Sequence, residues 1–347
     1  MRKHTLWRLV GVACGALLVA GVAACGSGGG GDTQAPAPGG PPLHLKVGTA
    51  FSLTSAPLLV AAERGYFKDE GLDVEFVSAS GADAQTITAA GQMDGYFGSL
   101  SASYFNGIAN GMNTPMIGSG GTSSADGRAQ IEMVVPADSP MRNPAELKGK
   151  KVAIPGGDTV SAVWQVDTML REHGITLADL ELIKLGFADA PVALANGQVD
   201  AMLGFYPSLA NLLAQKQVKI IGDMSKAYQV SGGAFVVGPT LTKDNRQAGA
   251  AFVRAMNRAV TNDLQGDYLA DPAMVTLLSK LTNIPEDVIK QCPAPTFAPG
   301  LPLSAQAIDE MQTFFRSRGQ LAYDQNIPLD KLVDTELISD ASATPVR

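Results

Sequence analysis

Gly91-Gln92-Met93-Asp94-Gly95-Tyr96-Phe97-Gly98 returns 106 residues later as Gly197-Gln198-Val199-Asp200-Ala201-Met202-Leu203-Gly204. Each copy follows an alanine-containing, helix-favouring stretch (86–90 and 192–196) and leads into a Ser/Leu/Ala stretch that reads as a further helix. A glycine just past a helix supplies the left-handed residue that ends it. The apolar run after it predicts a short buried strand, and a small-residue loop opens the next helix. In open α/β sheets, ligands bind at the carboxyl ends of strands, where helices present their N-termini. Two such units predict two α/β lobes, each turning one strand-to-helix edge toward a shared cleft.

The rest of the chain fits around that pair. Residues 43–49 and 72–76 read as strands, the second alternating as a half-buried one. Between them lies a helix that Ser55 can cap, with Pro57 in its first turn and Gly65 at its end. Further strands are expected at 116–118, 131–135, 152–154, 218–221 and 234–237, and helices at 101–110 and 160–173. The first crossing between lobes is expected at the 131–135 strand, with the 234–237 strand returning. From Lys243 onward the pattern is helical (246–264, 273–281, 285–291, 304–318), completing the first lobe. The division is thus lobe one at 44–134 plus 238–340, and lobe two at 135–237.

The chain opens with Arg2, Lys3 and Arg8 before an apolar stretch, 9–24, that is shorter than the about 20 residues a membrane span needs. It predicts a signal peptide over 1–24. Val22-Ala23-Ala24-Cys25 resembles a bacterial lipobox, making Cys25 the lipidated first residue; ordinary cleavage after the same small residues is the alternative. Residues 25–42, rich in Gly and Pro, predict a flexible tether. Removing residues 1–24, with three basic and no acidic side chains, takes the formal net charge from −7 to −10. An acidic body without a basic tract is unsuited to nucleic acid. Cys14 leaves with the signal, so Cys292 alone remains in the body and no internal disulfide can form. A body of roughly 300 residues exceeds one typical core, which supports two lobes.

Gly65-Tyr66-Phe67-Lys68-Asp69-Glu70-Gly71-Leu72-Asp73-Val74 resembles the nitrate/sulfonate/taurine-type solute-binding proteins of ABC importers, a family that includes binders of thiamine pyrimidine precursors. Leu147-Lys148-Gly149-Lys150-Lys151-Val152-Ala153, the stretch from Ala190-Pro191-Val192-Ala193-Leu194 through Asp200-Ala201, and the lipoprotein start match as well. The resemblance implies a type II periplasmic-binding-protein fold of two α/β lobes joined by two crossover strands acting as hinges. It also implies an extracytoplasmic, lipid-anchored monomer delivering a small solute to a membrane permease driven by a cytoplasmic ATPase. Many relatives carry an acidic residue before the proline of the second lobe's edge, where this chain has Phe205-Tyr206-Pro207, so the solute does not carry over. A ligand-presenting sensor and a pyrimidine-synthesising enzyme on the same fold are the alternatives.

In this architecture the cleft is lined by loops at strand ends: 51–55, 99–101, 119–124, 156–161, 187–190, 204–207 and 230–233. Hydroxyls and helix-start N–H groups there can hold a polar ligand without any catalytic group. The candidate ligand contacts are Phe51, Thr54, Ser55, Ser99, Ser101, Asp158, Thr159, Ser161, Phe205 and Tyr206. Ser55 serves equally as a helix cap, and Asp158 either caps the following helix or reaches into the cleft. Phe51, Phe205 and Tyr206 either stack on a flat ligand or pack a strand edge. Asp189 reads as a cap, Trp164 and Met169 as core, and Tyr96 and Phe97 as the body of a strand with no ligand role. These loops hold no Lys or Arg, which favours a neutral or weakly basic flat molecule facing Asp158 over an anion; Arg128 is the nearest cation that could reverse this.

Catalysis finds little footing. His44 and His173 lack the company of a nucleophile or a metal site. Gly156-Gly157-Asp158-Thr159 lacks the Gly-Lys-Ser/Thr of a phosphate loop. No cofactor and no metal are expected.

Overall fold

A computed structural model describes residues 41–343. The signal peptide, Cys25 and all but the last two residues of the tether lie outside the described residues. The described residues belong to one compact unit, 34–347. Among them, no helix is long and apolar enough to cross a membrane.

Ten strands sort into two five-stranded sheets. The first holds β1 (Leu43–Thr49), β2 (Leu72–Ser78), β3 (Gly95–Ser99), β4 (Met116–Ser119) and β10 (Gly233–Val237), in the order β2-β1-β3-β10-β4. The second holds β5 (Ile131–Pro136), β6 (Lys151–Ala153), β7 (Glu181–Ile183), β8 (Ala201–Phe205) and β9 (Val218–Gly222), in the order β7-β6-β8-β5-β9. The two orders are equivalent: parallel strands on one side, and in fourth place one antiparallel strand that has just crossed from the other lobe. This is the two-lobed α/β architecture that the repeat and the resemblance imply.

The crossing points differ from the expectation. β5 is not a strand between lobes; it pairs with both β8 and β9 inside the second sheet, and its first five residues are buried. β10 likewise pairs with β3 and β4 inside the first. A strand laddered on both edges is committed to its sheet, so the chain changes lobes in irregular segments, 120–130 and 223–232. The boundary residues 131–134 therefore belong with the second sheet and 233–237 with the first.

The repeat explains the parallel halves. Gly91 and Gly197 both take left-handed φ, 69° and 67°, and end their helices. The aspartate that follows then clamps the neighbouring strand. Asp94 accepts from the Lys46 N–H at 2.7 Å while its own N–H donates to the Lys46 carbonyl at 2.8 Å. Asp200 does the same with Lys151, at 2.8 Å and 2.8 Å. Each clamp sets the register one residue on: Val47 faces Gly95, and Val152 faces Ala201.

Helices cover both sheets: α1 (Ala56–Glu63), α2 (Tyr66–Asp69), α3 (Gly81–Ala89) and α4 (Ala102–Ala109) in the first lobe, and α5 (Ser161–Glu172), α6 (Asp189–Ala195) and α7 (Ser208–Ala214) in the second. After β10 come α8 (Arg246–Asp263), α9 (Pro272–Thr282), α10 (Glu286–Ile289) and α11 (Ala305–Ser317), with α8 to α10 in the first lobe's core. Val163, Val166, Met169 and Leu170 of α5 fill the second lobe's core, as expected for Met169. Trp164, on the same helix, is also core, but among Tyr104, Ile308, Met311 and Phe315 of the first lobe. The helix therefore bridges the lobes.

Candidate functional site

A cavity of about 390 Å³ opens where the two sheets' ligand-facing edges meet. Ser52 and Thr54, after β1, line it, as do Phe97 to Ser99 at the end of β3 and Phe205 to Ser208 at the end of β8. The first turn of α5 contributes Ser161, Ala162 and Gln165, and the two crossing segments contribute Gln130, Tyr228, Ser231 and Gly232. Phe187 closes one side and packs edge-on to Phe205, with ring centroids 5.1 Å apart. Every lobe and both crossings touch the same space. Its lining contains no Asp, Glu, Lys, Arg, His or Cys.

The hydroxyl protons on one wall are already committed. Ser161 Oγ donates to the Gly232 carbonyl at 2.7 Å. Ser99 Oγ, 2.8 Å from Ser161 Oγ, must then act as donor in that pair, or turn its proton to the Leu100 carbonyl at 3.2 Å. Ser231 Oγ donates to the Gly233 carbonyl at 3.0 Å. Gln165 is buried and its amide nitrogen lies 3.0 Å from the Val230 carbonyl; Gln130, also buried, places its own 2.7 Å from the Pro293 carbonyl. A carbonyl can only accept, which fixes both amides with nitrogen outward from the cavity and oxygen left over. Gly232 leaves room for this wall: a Cβ there would sit 2.5 Å from Ser161 Oγ and 3.2 Å from Gln165 Oε1. On the opposite wall Ser52 and Thr54 share one hydrogen bond at 2.8 Å, so one of the two keeps a free proton. Burial pushes the Tyr206 and Tyr228 phenols up, so both stay protonated and can donate or accept.

Of the residues expected at the site, Thr54, Ser99, Ser161, Phe205 and Tyr206 line the cavity. The other five do not. Phe51 has left-handed φ, 50°, and its ring packs against Phe76 of β2. Ser55 is fully buried and donates to the Ser52 carbonyl, which makes it part of the helix start. Ser101 caps α4 through the Tyr104 N–H. The Thr159 carbonyl accepts from Ala102 N–H, joining the two lobes beside the cavity. Asp158 turns away, to Arg318 at 3.6 Å and to Gln320 at 3.2 Å, so it offers the cavity no carboxylate.

Phe97, given no ligand role from the sequence, does line the cavity, and so do Ser52, Gln130, Gln165, Phe187, Tyr228 and Ser231. Gln165 had a sequence signal: it stands four residues after Ser161, hence on the same helix face. Arg128 does not reverse the charge argument. It pairs with Asp126 at 2.8 Å in a separate pocket of about 300 Å³ beside Lys290 and Cys292, whose thiol burial pushes up to about 12. His44 lies on the surface between Asp73 and Glu75, at 3.1 Å and 3.2 Å, and these partners raise its pKa.

Comparison with known proteins gives this geometry a family. A Haemophilus influenzae protein named for thiamine biosynthesis is 26% identical over 76% of this chain and 83% of its own length. A Bacillus subtilis protein named as an aliphatic sulfonates-binding protein is 26% identical over 71% of this chain and 72% of its own. The periplasmic aliphatic sulphonate binding protein SsuA from Escherichia coli superposes with a TM-score of 0.63 at 19% identity, covering 84% of this chain and 92% of that one. The desulfurization enzyme DSZB superposes with a TM-score of 0.60 at 15% identity, covering 86% and 99%. These likenesses fix the fold, which is of the periplasmic-binding-protein type, and they show that it carries both binders and an enzyme. The NMT1/THI5-like family model matches residues 52–265, more than half of the sequence, and the chain belongs to that family.

Proposed function

We propose that the protein is the extracytoplasmic solute-binding component of an ABC importer. It is lipid-anchored at Cys25, closes two lobes on a small organic solute and hands it to a membrane permease with a cytoplasmic ATPase. The observation that carries this reading is the cavity itself: one enclosed space bounded by both sheets and both crossing segments, without an ionisable acid, base or thiol in its lining. A solute there touches both lobes at once, so it stabilises their apposition by whatever contacts it makes only in that state.

The same lining weighs against an enzyme. Nucleophilic and acid–base catalysis need an activated nucleophile or a group that titrates near the working pH. The serines here have no base within the lining to activate them, and Cys292 lies in the other pocket. The names of the two relatives point to two ligand chemistries, a thiamine-related heterocycle and an aliphatic sulfonate. An anion would rest on hydroxyls and on N–H groups in the first turn of α5, without a single Lys or Arg. Phe97, Phe187, Phe205, Tyr206 and Tyr228 around one space support a flat ring more strongly.

The test is a thermal-shift screen of candidate nutrients followed by solution scattering. A true ligand raises the unfolding temperature by mass action, reduces the radius of gyration and is recovered intact. Saturation without compaction, or chemical turnover of the ligand, refutes the reading.

A further inference from the structure

We propose that Gln165 and Gln130 set the specificity of the cavity, by accepting hydrogen bonds from an uncharged solute that carries an N–H donor group on a ring. The proposal rests on the solute-binding reading and narrows it. Both side chains are more than nine-tenths buried, at 1% and 6% exposed, and both line the cavity. Both amide nitrogens are spent on backbone carbonyls from different parts of the chain, Val230 and Pro293. What each has left for a solute is a carbonyl oxygen. The Gln165 oxygen lies on the Gly232 face, where a Cβ would come within 3.2 Å of it.

Their neighbours repeat the pattern. Ser161 and Ser231 have given their protons to Gly232 and Gly233, and Ser99 has given its own to Ser161 or to Leu100, so this wall presents lone pairs. A solute that brings only acceptors, such as a sulfonate, would set oxygen against oxygen there. It would also leave buried acceptors without donors, and unpaired buried polar groups are costly. A solute with an –NH₂ group satisfies several of these oxygens together. Discrimination by donor complementarity is steep in such a site, because the wrong analogue leaves the wall unpaired. The Ala162 N–H in the first turn of α5 and the free proton shared by Ser52 and Thr54 serve an acceptor elsewhere on the same solute. A primary carboxamide or amino group on an aromatic ring has both halves, and the surrounding aromatic side chains provide the stacking face.

The experiment is calorimetry on the mature chain with three probes sharing one ring: benzamide, N,N-dimethylbenzamide and benzenesulfonate. Benzamide is expected to bind at least tenfold tighter than the other two, since it alone brings N–H donors without charge. Gln165→Met, which keeps length and removes the acceptor, should weaken benzamide about tenfold and leave dimethylbenzamide within threefold. Gln130→Met, anchored on a different segment, carries the same comparison should the Gln165 variant not fold. Tighter binding of benzenesulfonate overturns the proposal while leaving the solute-binding reading intact. An equal loss for both amides in the variants, or no benzamide binding at 10 mM (about the weakest affinity the method resolves), overturns it as well, and the scattering experiment then judges the broader reading by itself.

Discussion

The paired aspartates make the sharpest test of how the fold is built. Asp94 and Asp200 each hold the N–H of a lysine in the adjacent parallel strand, at 2.7 Å and 2.8 Å, and each returns its own N–H to that lysine's carbonyl. A hydrogen bond to a charged group contributes roughly 1.5–3 kcal/mol net. Lys46 and Lys151 are exposed, so water replaces the lost carboxylate and the lower end applies, about 1.5 kcal/mol for either alanine variant. Asparagine keeps an acceptor without the charge and should restore about half, since charge-assisted bonds are roughly twice as strong as neutral ones. The readout is residue-resolved hydrogen exchange, where about 1.4 kcal/mol of lost protection is a tenfold faster rate. Asp94→Ala should speed exchange at the Lys46 amide about tenfold and leave Lys151 alone; Asp200→Ala should do the reverse, because the two clamps stand in different sheets. Equal acceleration at both amides, or no change at either, would refute the assignment of the repeat as two independent strand clamps.

Two further outcomes are expected. Glu132 in β5 is buried, and burial pushes its carboxyl up to about 7, against the backbone bonds from Met224 and Ala129 that pull it down; Asp223 raises it and Arg128 lowers it. An acid raised in the folded state binds its proton more tightly there, so its contribution is full below pH 4.5 and is lost as pH rises through about 7. The difference is on the order of 3 kcal/mol across that window, and urea unfolding of wild type from pH 5 to 8 should decline where Glu132→Gln stays flat. An unchanged slope in the variant rejects Glu132 as its source. For Asp158→Asn, the outward turn toward Arg318 predicts ligand affinity within twofold of wild type and a stability loss under about 1 kcal/mol for so exposed a pair. A tenfold change in affinity would put the carboxylate back in the cleft.

The reading of sequence into structure succeeded and failed for identifiable reasons. Strands and helices were legible because their signals are local: left-handed glycines after helices, apolar runs of strand length, and Ser or Asn at helix starts. The crossings were not. An apolar run such as 131–135 looks the same whichever sheet it joins, and only its pairing of Val134 with Met202 and Ile220 commits it to the second. Asp158 was misplaced because its partners, Arg318 and Gln320, lie about 160 residues away in a segment whose position no local pattern reveals. Hydroxyls directly at strand ends, such as Ser99, were found because topology alone puts them there. Gln130 and Tyr228 were missed because they sit in the irregular crossings, whose path depends on both lobes.

The placement of α5 ties these threads to function. Its hydrophobic face belongs to the second lobe, yet its first turn is fastened to the first: Ser161 N–H donates to the Leu100 carbonyl at 2.8 Å, and Ala102 N–H to the Thr159 carbonyl at 2.9 Å. Trp164 is buried among first-lobe side chains one turn further on. The residues that would grip a solute, Ser161 and Gln165, bracket Trp164 on the same helix. Rotating the lobes apart must draw this turn away from Ser99 and Leu100 and free the Ser161 proton from its place on the wall. Occupancy of the cavity and apposition of the lobes are therefore coupled through one helical turn, and a solute that bonds to Gln165 favours the closed arrangement by the contacts it would lose on opening.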